Sequence, residues 1–482
     1  MRPHGYILTA FLVVLVSVAL KLTKKDDIPF INPPTWFHPR PLARMDFLKT
    51  GMQVFDKARS SVADKPYRVL SDDGDLTVLP SRFAHCIRNE NDLDFGEFIK
   101  AGFHYPLPGF EPFGFINHPS QILQNVARKQ LTKYLNTVTE PLSIEAAFAA
   151  SHIFGESPEW RQLPAKDAIL DLVARLSSRV FLGDELCRND DWLRITKEYT
   201  VMSFKAAITL KFVPRPLRPL LHWFVPDCKL VRQYVAQASA LISPVIEKRR
   251  AAARKAADEG AEMPEYNDAI EWAETECKGQ AYDAAIFQLT LSFAAIHTTT
   301  DLLAQTMLFL ASEPELITPL REEIVQVLKA EGWRKTALYN MKLVDSAFKE
   351  TQRMKPNSIC RGLTDQMRRM ATKDVTLDEG ITIRRGELIV VDASRMKDPK
   401  IHKDVDRYDI NRFRSMREDP GKTHKAQLYD WKLAPGNTTD PFIVGVNRQI
   451  NPKTVIMFRR RKEELDIDSL DFAGEAGEPG AA

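Results

Sequence analysis

Apolar positions recur at helical spacing from about residue 120 to residue 354, then give way to short alternating runs. QILQNVARKQLTKYL (121–135), AKDAILDLVARLSSRVFL (165–182) and KLVRQYVAQASALISPVIEKRRAAARKAA (229–257) predict helices. Residues 281–311 are mostly apolar and predict one long helix of about 45 Å at 1.5 Å per residue. Residues 313–354 predict two more helices, interrupted near Gly332. Beyond Pro356 the period shortens. VTLDEGITIRRGELIVV (375–391) predicts strands with a hairpin turn at Asp378-Glu379-Gly380. Residues 35–120 mix short apolar runs with Pro and Gly and predict short strands, helices and turns. The fold class is therefore mainly α with small β-sheets.

The two ends differ from this body. Tyr6 to Leu20 is an apolar stretch bounded by Arg2 and His4 on one side and Lys21, Lys24 and Lys25 on the other. A spanning helix needs about 20 residues, so residues 1–25 predict a thin single-pass membrane anchor. Ser17-Val18-Ala19 also fits a signal-peptide cleavage site, and local sequence leaves both readings open. Pro29, Pro33 and Pro34 make residues 26–40 a stiff hinge. Residues 41–469 read as one large domain, and 470–482 as a disordered acidic tail. Within the domain, 211–228 is rich in Pro, Arg and aromatics. It suits either a surface loop or a loop that dips into a membrane with Leu220, Leu221, Trp223 and Phe224.

Composition changes this picture little. A net charge of +3 over 482 residues, with no dense basic stripe, excludes a dedicated nucleic-acid surface. The five cysteines (Cys86, Cys187, Cys228, Cys277 and Cys360) are widely spaced and odd in number. That favours reduced thiols facing the cytosol over a disulfide framework.

Two polar features interrupt the apolar pattern. The long helix carries Phe293-Ala294-Ala295-Ile296-His297-Thr298-Thr299-Thr300-Asp301. Consecutive threonines are poor helix formers, and their hydroxyls can bond back one turn. Either they only satisfy their own backbone, or His297 and Thr298 offer proton-transfer groups beside the space left by the alanines. Further on, Glu350 and Arg353 stand three apart and share a helix face. Alone they read as a surface pair. With Arg412 in Tyr408-Asp409-Ile410-Asn411-Arg412-Phe413 they read as a buried Arg–Glu–Arg cluster that fixes one arrangement of the chain.

In order, the anchor with its proline hinge, AAIHTT, ETQR and YDINRF make the chain resemble the cytochrome P450 family over nearly its whole length. The resemblance implies haem as cofactor and electrons from NADPH through a separate NADPH-cytochrome P450 reductase. It also implies a hydrophobic small-molecule substrate, and an endoplasmic reticulum anchor with a cytosolic catalytic domain. Thr298 takes the position that helps deliver protons to bound dioxygen, with His297 where an acidic residue is usual. Glu350, Arg353 and Arg412 take the positions of the structural triad of the haem pocket. Arg128 and Arg361 are candidates for haem-propionate contacts. Phe293, Ala294 and Ile359 would face substrate. A finer resemblance, carried by FAAIHTTTDLL, FKETQRMKP and YDWKLAPG, is to fungal membrane-bound members that oxidise terpenoids and related secondary metabolites, including ent-kaurene oxidase-like enzymes.

One family element is missing. The ligand cysteine belongs to a Phe-x-x-Gly-x-x-x-Cys-x-Gly loop after YDINRF, followed by a helix under the haem. Here 16 residues, Phe413 to Leu428, separate Arg412 from Tyr429, and no cysteine follows Cys360. Yet Tyr429-Asp430-Trp431-Lys432-Leu433 and NPKTVIMFRRR (451–461) resemble the strands beyond the missing part. A clean internal loss at Leu428–Tyr429 fits intact flanks better than divergence does. No metal ligand is therefore assigned. Cys360 reads as a small buried hydrophobe, and His297 as an iron ligand would sit on the oxygen side. The alternative to an active monooxygenase is a degenerate, mis-spliced or mis-assembled chain that holds no haem. A membrane-anchored binding protein is a third class, supported only by the anchor.

Overall fold

The computed structural model describes residues 28–62, 64–355, 365–415, 429–433, 442–444, 447–449 and 453–460. The expected anchor (1–25) and acidic tail (470–482) lie outside these residues, as do Ile359, Cys360, Arg361 and Leu428. No helix among the described residues is long and apolar enough to cross a membrane.

The main helices are α1 (Arg40–Val62), α2 (Phe95–Gly102), α3 (Leu135–Phe154), α4 (Ala165–Leu186), α5 (Asp190–Lys211) and α6 (Pro226–Glu259). They continue as α7 (Ala269–Glu276), α8 (Ala284–Ser312), α9 (Ile317–Glu331) and α10 (Lys342–Met354). Strands β1 (Tyr67–Ser71), β2 (Gly74–Leu79), β3 (Leu93–Asp94), β5 (Asp365–Ala371) and β8 (Leu388–Asp392) form one sheet in the order β1-β2-β8-β5-β3. Only the β2–β8 pairing in it is parallel. A second sheet has the order β4 (Arg161–Pro164), β12 (Val455–Arg460), β9 (Tyr429–Leu433), all antiparallel. The hairpin expected at 378–380 joins β6 (Val375–Thr376) to β7 (Thr382–Ile383). A further hairpin pairs β10 (Phe442–Val444) with β11 (Asn447–Gln449).

Helix α8 is the axis of the fold. Asp283 caps it by accepting from the Ile286 amide at 3.0 Å. Its first half is buried nearly all round, as its continuous apolar sequence demands. Phe287, Leu289, Leu291 and Phe293 belong to the larger core. Ile296, Ala304, Leu308 and Leu310 belong to a second core with Leu343, Tyr408 and Phe458.

Three segments differ from the periodic expectation. Residues 121–135 form Ile122–Asn125, a π-helical turn Val126–Gln130 and Leu131–Lys133 rather than one regular helix. Residues 313–354 give a third piece, Lys335–Asn340, between α9 and α10, because Gly332 (φ 65°) ends α9. Helix α4 is broken at Gly183 (φ 66°), where a Cβ would lie 2.6 Å from Asp268 Oδ2. Glycine there lets the chain approach the buried pair of Asp268 and Arg249, whose Nη2–Oδ2 distance is 2.7 Å.

Candidate functional site at the central helix

The Glu350 carboxylate is fully buried and collects donors from three places. Arg353, one turn along α10, donates through Nε at 2.7 Å and Nη2 at 2.9 Å. Arg412 Nε lies 3.0 Å from both carboxylate oxygens, and the Asp409 amide reaches Oε1 at 3.1 Å. The remaining guanidinium donors go to carbonyls. Arg353 reaches Met396 O (2.9 Å) and Val405 O (2.8 Å), and Arg412 reaches Lys403, Asp404 and Arg407. Burial pushes the Glu350 carboxyl up, but the Arg353 and Arg412 hydrogen bonds outweigh it and hold it below the ordinary glutamate range. Two charged donors on one buried acceptor give the geometry that keeps an interior charge tolerable.

The segment after Lys403 is fastened to α10 around this cluster. Tyr408 OH donates to Ala347 O at 2.9 Å, and Ser346 Oγ accepts from the Phe413 and Arg414 amides. At the other end of α10, Glu323 accepts from the Leu343 and Val344 amides at 2.7 and 2.8 Å. Helix α10 is tied to α8 by Thr306 Oγ1 to Thr351 Oγ1 (2.9 Å) and by Lys355 to Asp301 (2.7 Å).

On α8 the candidate chemistry divides between two faces. Thr298 Oγ1 donates to Ala294 O at 2.8 Å, so these two residues share one stripe. His297 lies on the neighbouring stripe with Phe293 and turns toward α5, where Nε2 donates to Lys197 O at 3.2 Å. That bond leaves Nδ1 as the acceptor of a neutral ring. Phe293 is enclosed by Phe103 (centroids 5.5 Å apart), Phe113 (4.9 Å) and Phe204 of α5 (6.0 Å). Thr300 is buried and bonds back to Ile296 O, whereas Thr299 is exposed. Arg128 is exposed on the π-helical turn. Sequence reasoning missed the aromatic enclosure, because its members are scattered from Phe103 to Phe293 and no local pattern joins them.

Burial lowers the pKa of His297 to about 4, and that of His104, held by Ala207 O and Arg218, also to about 4. Both rings are therefore neutral at physiological pH. In the unfolded chain they take up protons near 6.5, and in the folded chain only near 4. Their linked stability is full above about 6.5, and is lost as pH falls from there toward 4. A proton NMR titration is expected to show these two rings unchanged between about pH 5.5 and 8. A midpoint near 6.5 for either ring would contradict the burial argument.

Comparison with known proteins places this architecture. The family model for cytochrome P450 matches residues 158–428. Cytochrome P450 monooxygenase 1 of Gibberella fujikuroi is 41% identical over 84% of this chain and 99% of its own. Cytochrome P450 monooxygenase eqxH of Fusarium heterosporum is 36% identical over 96% of each chain. The solved structure of cyanobacterial CYP120A1 with retinoic acid bound superposes with a TM-score of 0.59 at 15% identity. It covers 87% of this chain and 96% of that one, and supports the fold alone. The chain belongs to the cytochrome P450 family. By descent it is a haem-thiolate monooxygenase of the kind found in filamentous fungi, a class that works with haem and an external source of electrons.

The described residues do not fit the family's thiolate-ligated haem. Cys187, Cys228 and Cys277 are buried in helical packing, and Cys86 is half-buried. Burial raises the thiols of Cys86 and Cys187 above the ordinary range and that of Cys228 to about 11, so each stays protonated. Among the described residues no group of three His, Cys, Asp or Glu side chains is placed to hold a metal ion.

Proposed function

We propose that this chain derives from a membrane-bound fungal monooxygenase that oxidises a hydrophobic, terpenoid-like secondary metabolite. We further propose that the polypeptide lacks the segment needed to ligate haem. The reading gives Glu350, Arg353 and Arg412 a structural role behind the haem pocket and Thr298 a proton-handling role on the Ala294 face. Phe293 and Ala294 are assigned to the substrate wall and Arg128 to a haem-propionate contact, with Ile359 and Arg361 outside the described residues, and a membrane-bound NADPH-dependent reductase would supply electrons. An endoplasmic reticulum location follows from the anchor reading. It is supported by apolar side chains left in solvent at Trp36, Phe37, Leu220, Trp223 and Phe224, beside the proline-rich segments.

The observation that supports the reading is what flanks the Leu428–Tyr429 junction. Every residue pairing of the Glu350 cluster is formed before it, strand β9 resumes directly after it, and the family-model match ends at residue 428. The alignment with eqxH runs over 507 positions, more than the 482 residues of this chain, so that relative carries residues this chain lacks. These facts favour the second reading, a remnant or mis-spliced product, for the polypeptide as it stands. The decisive test inserts the eqxH segment between Leu428 and Tyr429, adds reductase and NADPH, and offers a panel of diterpenoids. Incorporation of one labelled oxygen atom from dioxygen is expected for the repaired chain. A repaired chain that binds haem yet oxidises no terpenoid would sink the substrate assignment.

A further inference from the structure

A cavity of about 420 Å³ opens where α1, the β1–β2 turn, the end of α2 and the end of α5 meet. Its lining is unbalanced in charge. Asp73 is engaged by Lys211 and by Arg368 (3.1 Å), Asp75 by Arg40, and Glu387 by Arg68 at 3.6 Å. Among the described residues, four arginines on the same lining form no ion pair with a carboxylate: Arg44, Arg215, Arg218 and Arg385. Arg44 spends Nε and Nη2 on the Asp72 carbonyl. Arg218 spends its donors on Val213 O, Lys211 O and the neutral His104 ring. Arg215 and Arg385 are exposed. Burial lowers the pKa of both Arg44 and Arg218; Asp73 and Asp75 partly offset this at Arg44, while the neighbouring Arg215 lowers each further, so cations outnumber anions in the shared field.

The polar cavity shares Asp73, Phe98, Gly102 and Lys211 with a smaller apolar one of about 40 Å³. Phe103 and Phe204 line that inner cavity, and both rings pack on Phe293 of α8. The walls therefore run from an arginine-rich mouth, through phenylalanine, to the helix that carries Thr298. Guanidinium groups match carboxylate and phosphate geometry. An apolar pocket with a few convergent polar groups at one end selects a ligand by its head and accommodates its body.

We propose that the larger cavity binds an amphiphilic small-molecule acid, its anionic head among Arg44, Arg215, Arg218 and Arg385 and its apolar body against Phe98, Met370 and Leu388. The proposal deepens the monooxygenase reading, since it names the substrate class as an acid, but its test needs no haem. The same chemistry is offered by an anionic lipid headgroup, so the experiment separates the two. The full chain is titrated calorimetrically with dodecanoate below its micellar concentration, with methyl dodecanoate, and with phosphatidylcholine vesicles with or without phosphatidylserine. Dodecanoate is expected to bind saturably, at least about tenfold more tightly than the ester, and to weaken with added salt. The double variant R215Q/R385Q removes two exposed guanidinium groups. It should retain the parent circular dichroism and bind dodecanoate about tenfold more weakly, with ester binding unchanged. Equal binding of acid and ester, or an unchanged double variant, overturns the proposal. So does anion dependence confined to the phosphatidylserine vesicles, which would make the arginines a membrane contact. An activity failure of the repaired enzyme would leave this binding result standing, and the reverse also holds.

Discussion

Expressed with ample haem, reduced and exposed to carbon monoxide, the 482-residue chain is expected to show no absorbance band at the thiolate-ligated position. The expected effect is all-or-none, because on the proposed reading the ligand is absent rather than weakened. The thiolate is what pushes electron density onto the iron in this family, and a protonated buried thiol is a poor substitute. The four described cysteines lie outside the Thr298 helix, and three have their thiols raised by burial. The fifth, Cys360, precedes the break by 68 positions of sequence, in the stretch that resembles the substrate wall. Inserting the relative's segment at Leu428–Tyr429 should restore the band, and Cys→Ser at the inserted cysteine should remove it again. A thiolate-type band from the unaltered chain would end the argument at once.

The second large effect is on stability. Glu350→Ala leaves two buried guanidinium groups facing each other without their shared acceptor. Breaking a buried charge cluster in this way costs roughly 3–5 kcal/mol, a large part of a typical folding free energy. Urea or thermal unfolding of the isolated variant would read it directly. Glu350→Gln keeps the shape and one acceptor oxygen, so it should fall between Ala and the parent. A change below about 1 kcal/mol for Ala would mean that water replaces the carboxylate, contrary to its full burial. The pH dependence has a definite sign. A carboxyl held below its ordinary range contributes stability that is full above the unfolded value. That contribution is lost as pH falls through the folded value, and for Glu350 the loss lies in the acid range below about 4.5. The Ala variant should therefore lose part of the parent's acid sensitivity.

Much of this fold was legible in the sequence because its signals are local. Helix α8 announces itself through a long apolar run, and the 378–380 turn through Asp-Glu-Gly. Glu350 and Arg353 were legible as a pair from their spacing, and Arg412 joined them as a second arginine flanked by aromatics in the YDINRF stretch. Helix α1 was not singled out. Its buried positions Ala43, Phe47, Gly51, Phe55 and Ala58 form a narrow stripe of small and large residues, broken by a central glycine. The separation of His297 from Thr298 follows from helix geometry, but what each stripe meets depends on α5, more than eighty residues earlier. The four arginines of the cavity mouth come from three distant stretches of chain, around residues 44, 215–218 and 385, so only the folded arrangement brings them together.

The way Tyr408, Ser346 and Arg412 fasten residues 403–415 to α10 has a consequence for synthesis. Every partner in that junction is encoded before codon 428. Chains emerge from the N-terminus at about 5–20 residues per second, and folding units close as they appear. The contacts that lock residues 403–415 onto α10 are thus specified upstream of the junction, although the core around α8 still waits for Ile456 and Phe458. A transcript that omits a loop at that junction would leave every one of these contacts encoded intact.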